Sequence, residues 1–93
     1  MVVSIVINKT NESWVIYPNP AHGEFNLFAN EDSKKLHITI FDAAGRVVHQ
    51  QTDQKVNRGE KINVNVTRFA AGIYTVRIEA TDRASEFKKI LVN

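Results

Sequence analysis

Leu36-His37-Ile38-Thr39-Ile40-Phe41-Asp42-Ala43-Ala44-Gly45-Arg46-Val47-Val48 is the stretch that decides the fold. Leu36, Ile38 and Ile40 alternate with His37 and Thr39, the period-2 pattern of a strand with one buried and one wet face. Asp42-Ala43-Ala44-Gly45 then fits a type I turn, with Asp at the first position and Gly at the fourth. Glycine there enters the left-handed region without a Cβ clash. Residues 46–51 are therefore expected to return as the second arm of a hairpin.

Outward from this hairpin the same grammar persists. Residues 2–7 and 14–17 are apolar, β-branched or aromatic, and Pro18-Asn19-Pro20 then interrupts regular pairing by removing two backbone donors. Phe25 and Leu27 alternate with Glu24 and Asn26, while Phe28 breaks the polar side and is expected at a rim. On the C-terminal side, Ile62, Val64 and Val66 alternate with Asn63, Asn65 and Thr67. Phe69-Ala70-Ala71-Gly72 repeats the turn pattern, with Gly72 placed like Gly45. Tyr74, Val76 and Ile78 mark the next strand, and residues 85–92 close the chain as the last. The pattern predicts an all-β protein: an immunoglobulin-like antiparallel β-sandwich of seven to eight short strands. A single open sheet would leave too many alternating apolar faces uncovered.

Composition narrows the function classes. The 93 residues suffice for one domain, and 43% hydrophobic with 24% charged residues is the balance of a folded chain. Net charge is +2, with 12 basic and 10 acidic side chains interleaved, so the basic stripe of a nucleic-acid binder is missing. Without cysteine there is no disulfide framework, thiolate metal site or cysteine nucleophile. No apolar run approaches the ~20 residues needed to cross a bilayer as a helix. The opening residues lack the basic n-region of a signal peptide, so an exported version is expected to be the C-terminal part of a longer parent.

Catalytic and ligand-binding patterns are likewise missing from the sequence. His22, His37 and His49 share no metal-ligand spacing, and His37 and His49 read as exposed strand histidines. The glycines are isolated at turns rather than gathered in a phosphate loop. Asp32, Asp42, Asp53 and Asp82 fall in predicted loops, where Asp commonly bonds its own backbone, and no calcium-ligand series links them. Asn8, Asn11 and Asn65 begin N-glycosylation triplets, a loose pattern of little weight by itself. No enzyme and no cofactor are expected.

Four segments in order resemble the type IX (Por) secretion C-terminal sorting domain family of Bacteroidetes, type A. They are Val15-Ile16-Tyr17-Pro18-Asn19-Pro20-Ala21; residues 38–48 with Asp42, Gly45 and Arg46; residues 69–78 with Gly72 and Tyr74; and Phe87-Lys88-Lys89-Ile90-Leu91-Val92-Asn93. Phe69 stands where the family more often has Leu. The resemblance covers residues 14–93 and leaves residues 1–13 as linker, edge strand or tail of a preceding domain. It implies a passenger signal at the C-terminus of secreted cargo, recognised in the periplasm and passed through the outer-membrane translocon. It further implies that a surface sortase-like peptidase removes the domain and that the cargo reaches the cell surface or the medium. Translocon components, that peptidase and the N-terminal cargo are the implied partners.

Within that resemblance, Lys88, Lys89, Ile90, Leu91 and Val92 are the candidate sorting signal. Tyr17, Pro18, Asn19, Pro20, Asp42, Gly45, Arg46, Gly72 and Tyr74 are family-motif residues with a structural role expected for each. The two lysines admit two readings: an address read on an exposed edge by strand addition, or protection of that edge against aggregation. The competing function is an immunoglobulin-like or fibronectin-like accessory module binding carbohydrate or protein. A carbohydrate module needs an exposed aromatic platform, for which Trp14, Tyr17 and Tyr74 are the candidates.

Overall fold

The computed structural model describes residues 13–53, 55–81 and 83–93. Seven strands follow one another: β1 (Trp14–Tyr17), β2 (Glu24–Ala29), β3 (Leu36–Phe41), β4 (Val47–Asp53), β5 (Lys61–Asn65), β6 (Gly72–Ala80) and β7 (Arg83–Val92). They form two antiparallel sheets, one ordered β1-β2-β5 and the other β4-β3-β6-β7. The expected sandwich is the observed one. The strand expected over residues 2–7 lies outside the described residues.

The two sheets face each other through the alternating apolar positions. Phe25, Leu27, Ile62 and Val64 project from one sheet; Ile38, Ile40, Val76, Ile78 and Ile90 project from the other, all buried. Trp14 is 1% exposed and joins the same core. Removing these side chains from water is the main stabilising term in a domain with no covalent cross-link. Ser33 and Val56 exchange two backbone hydrogen bonds (2.8 and 2.9 Å), tying together the two loops where the chain changes sheets.

Four local expectations need correction. Thr39 sits on the outer row of β3 yet is fully buried. It is central in its sheet, with the long side chains of Gln50 and Arg77 at the same level on the two flanking strands. His49 pairs with Ile40 on the inward row rather than facing solvent; it is half-buried, bonded to Gln51 at 2.7 Å, and its ring lies 6.4 Å from that of Phe69. Asp53 ends β4 rather than lying in a loop. Gly72 opens β6 opposite Val92, and the hydrogen-bonded turn before it runs from Val66 to Phe69 (N–H to C=O, 3.0 Å). There the Asn65 carboxamide accepts the Thr67 N–H at 2.9 Å, so the polar side chain ahead of the turn shapes it.

Candidate functional site

The last strand is the place to begin, because alternation separates its two lysines. Lys88 pairs with Val76 on the inward row, its side chain only 16% exposed and 3.9 Å from Glu86. Lys89 pairs with Thr75 on the outward row and is exposed. Ile90 and Val92 are core residues, whereas Leu91 is 39% exposed beside Ile73. The five candidate signal residues therefore divide into an inward set (88, 90, 92), of which Ile90 and Val92 are buried, and a displayed set (89, 91). Period-2 counting along residues 85–92 carries this signal, but treating the lysines as one pair hides it.

The edge of this strand is occupied by the chain's own proline segment. After β1 the Tyr17–Pro18 and Asn19–Pro20 bonds are cis. The Asn19 carboxamide then lies against β7: its Nδ2 donates to the Lys89 carbonyl (3.2 Å), and its Oδ1 accepts the Leu91 N–H (3.0 Å). Ala21 continues the contact, its N–H donating to the Leu91 carbonyl (2.7 Å) and its carbonyl accepting the Asn93 N–H (3.0 Å). Ala21 is fully buried and bridges Val92 in parallel orientation. Residues 19–21 thus act as a short pseudo-strand that satisfies the outward backbone of residues 89–93, groups an edge strand otherwise leaves open. Asn19 was legible as a bend residue; its partners, some 70 positions away, were not.

Two further motif elements approach the same face. In the β3–β4 turn, the Gly45 N–H donates to the Asp42 carbonyl (2.9 Å), with Gly45 at φ +87°. Asp42 Oδ1 accepts the N–H groups of Ala44 and Arg46, and Oδ2 accepts from the Arg46 side chain, all at 2.9 Å. The Arg46 backbone N–H above all, helped by its guanidinium and the Ala44 N–H, holds the Asp42 carboxyl below the usual aspartate range despite partial desolvation. Tyr74 points inward and is 8% exposed, its hydroxyl donating to the Ala70 carbonyl at 2.6 Å. Between the Asp42–Gly45 turn and β7 lies an open depression of about 500 Å³, walled by Phe41, Ile73, Thr75 and Lys89. The turn, the opening of β6 and the outer row of β7 converge on it.

The proposed aromatic platform is not assembled. Trp14 and Tyr74 are core residues, and of the three candidates only Tyr17 is exposed (39%). Among the described residues no group of three or more His, Asp or Glu side chains is placed to hold a metal ion.

A family model described as "Secretion system C-terminal sorting domain" matches residues 15–93. The chain belongs to that family. The sorting domain is thus a type IX secretion signal, of a family that marks secreted proteins for sorting. No curated protein matches the chain. Among solved structures, the crystal structure of dimeric latent PorU from Porphyromonas gingivalis is similar over 85% of this chain, at 20% identity and a TM-score of 0.56. The sorting domain spans 9% of that chain's length, and the likeness is one of fold.

Proposed function

We propose that this sorting domain directs a larger cargo from the periplasm through the type IX outer-membrane translocon, after which a surface sortase-like peptidase removes it. The observation that supports this most is the construction of β7. A strand whose inward side chains are core and whose outward Lys89 and Leu91 are displayed makes the address depend on the folded domain. Lys88, inward and beside Glu86, serves the fold in this reading, and Lys89 with Leu91 serves recognition. Two of the three aromatic candidates for a carbohydrate platform, Trp14 and Tyr74, are buried in the core, which speaks against the carbohydrate-binding alternative.

The test is to fuse the chain behind a periplasmic reporter in a type IX-competent bacterium. The reporter is expected at the cell surface or in the medium, lacking the domain by mass spectrometry. A folded fusion that stays in the periplasm overturns the export reading. An exported reporter that keeps the domain overturns the removal step alone.

A further inference from the structure

Resting on the sorting reading, we infer that the signal strand is recognised from its outer face, by a protein surface that brings an apolar side chain into the depression beside Ile73 and a carboxylate to Lys89. Three features of the strand lead there. The first is that backbone recognition is closed off. The four hydrogen bonds from Asn19, Ala21 and Asn93 saturate the outward groups of residues 89–93, so a partner strand finds nothing to pair with. The outward edge that stays open on β7 lies upstream, over residues 83–88, and its register shift against residues 78–80 of β6 makes that stretch an irregular template for an added strand.

The second feature is the occupancy of the inner row. Ile90 and Val92 are 1% and 2% exposed, and Lys88 is turned towards Glu86. What a partner can touch is the outer row of β7 and its neighbour: Phe87 (63% exposed), Lys89 and Leu91 (39%), flanked by Ile73 (56%). Ile73 lies directly opposite Leu91, and Thr75 opposite Lys89, so these side chains form one contiguous patch. Exposed apolar side chains gathered on one sheet face, rather than scattered, mark an interaction surface.

The third feature is charge, which selects the occupant. Lys89 has no carboxylate partner among the described residues, whereas its cationic neighbour Arg77 sits 3.5 Å from Glu79 with its guanidinium 5.1 Å from the Phe41 ring centroid. A single unpaired ammonium ringed by Ile73, Leu91 and Phe87 suits a carboxylate set in an apolar protein surface. An anionic lipid or polysaccharide surface draws on clustered cations, each contributing about 1 kcal/mol, and the patch does not offer a cluster. A partner carboxylate desolvated against Lys89 would gain strength from the apolar surround and give orientation.

The experiment uses the whole chain fused to the periplasmic reporter, with thermal unfolding of each purified variant as the control for folding. Ile73→Asp, Lys89→Glu and Lys89→Gln are expected to unfold cooperatively and to lose surface reporter down to the level of a fusion without the domain. Lys89→Arg is expected to export as the unaltered chain does, since it keeps the cation. Val15→Asp, at an exposed apolar site on the other sheet, is expected to export normally. If Ile73→Asp and Lys89→Glu export fully while folded, outer-face recognition is overturned. If Lys89→Gln alone exports fully, the carboxylate pairing is overturned. If Asn19→Ala, which opens the edge, raises export while the outer-face variants are silent, strand addition is the mode instead. Failure of the unaltered fusion to export would overturn the sorting reading itself, a result distinct from all of these.

Discussion

Residues 42–45 and 69–72 share the ending Ala-Ala-Gly and differ only in the residue before it, Asp42 in one and Phe69 in the other. They fold differently. Asp42 supplies a carboxylate that gathers the N–H groups of Ala44 and Arg46, and the four residues close a hydrogen-bonded turn. Phe69 has no acceptor to offer; its ring lies 5.0 Å from that of Tyr74, partly buried against the core, and the turn slides upstream to residues 66–69. Gly45 then has φ +87° inside a turn, while Gly72 has φ +154° at the mouth of β6. Both conformations disfavour a side chain, but for different reasons. The pair shows that a glycine's position in a motif does not define its conformation; the polar group ahead of it does.

The contrast can be broken most sharply at the two glycines. A Cβ at either would meet nothing within 4 Å, so substitution reports backbone conformation alone. Gly72→Ala is expected to cost about 1–3 kcal/mol, because its region is close to glycine-only. Gly45→Ala is expected to cost about 1–2 kcal/mol. Urea unfolding measures both, and the decisive control is asparagine. Asn should recover much of the loss at 45, where the left-handed region tolerates it, and none at 72. Equal rescue at both positions would show that the two turns are equivalent after all.

A smaller effect sharpens the Phe69 side. Tyr74→Phe removes the hydroxyl that satisfies the Ala70 carbonyl and should destabilise by about 0.5–1.5 kcal/mol. An unchanged unfolding midpoint would mean that this hydroxyl does not hold the 69–72 stretch in place. The smallest effect belongs to the Asp42 side. Its folded carboxyl lies below the unfolded value of about 3.9, so its contribution is present above that value and lost as pH falls through the folded one. Asp42→Asn should flatten the dependence of the thermal midpoint on pH between about 5 and 3 by a degree or two. A slope identical to that of the unaltered chain would rule out Asp42 as its source.

These two turns also show what the sequence makes legible. The Asp42 turn could be read because its chemistry is complete within five consecutive residues. Likewise the strands of the described region followed from period-2 alternation, as Ile62 and Val64 illustrate, although β5 ends at Asn65, one residue before the alternation does. The turn before β6 could not be read, since Asn65 and Phe69 contest it and the packing of Phe69 decides the outcome. Thr39 looked solvated because alternation does not reveal which strand is central in its sheet. Nor could the contact of Asn19 with Lys89 and Leu91 be seen, because nothing local joins a bend near one end of the domain to the last strand.

That contact has a bearing on timing. Bonds between Asn19 and residues 89 and 91 close a loop of 70 or more positions, and closing long loops is the slow, entropy-limited part of assembling a β-topology. The pseudo-strand docks across this long separation, which puts it with the slow-forming contacts of the fold. Until it does, the final residues offer an open edge to any passing chain; afterwards they offer only a face. The latch formed by Asn19 therefore marks the moment at which the domain stops being a sticky nascent chain and becomes a legible label.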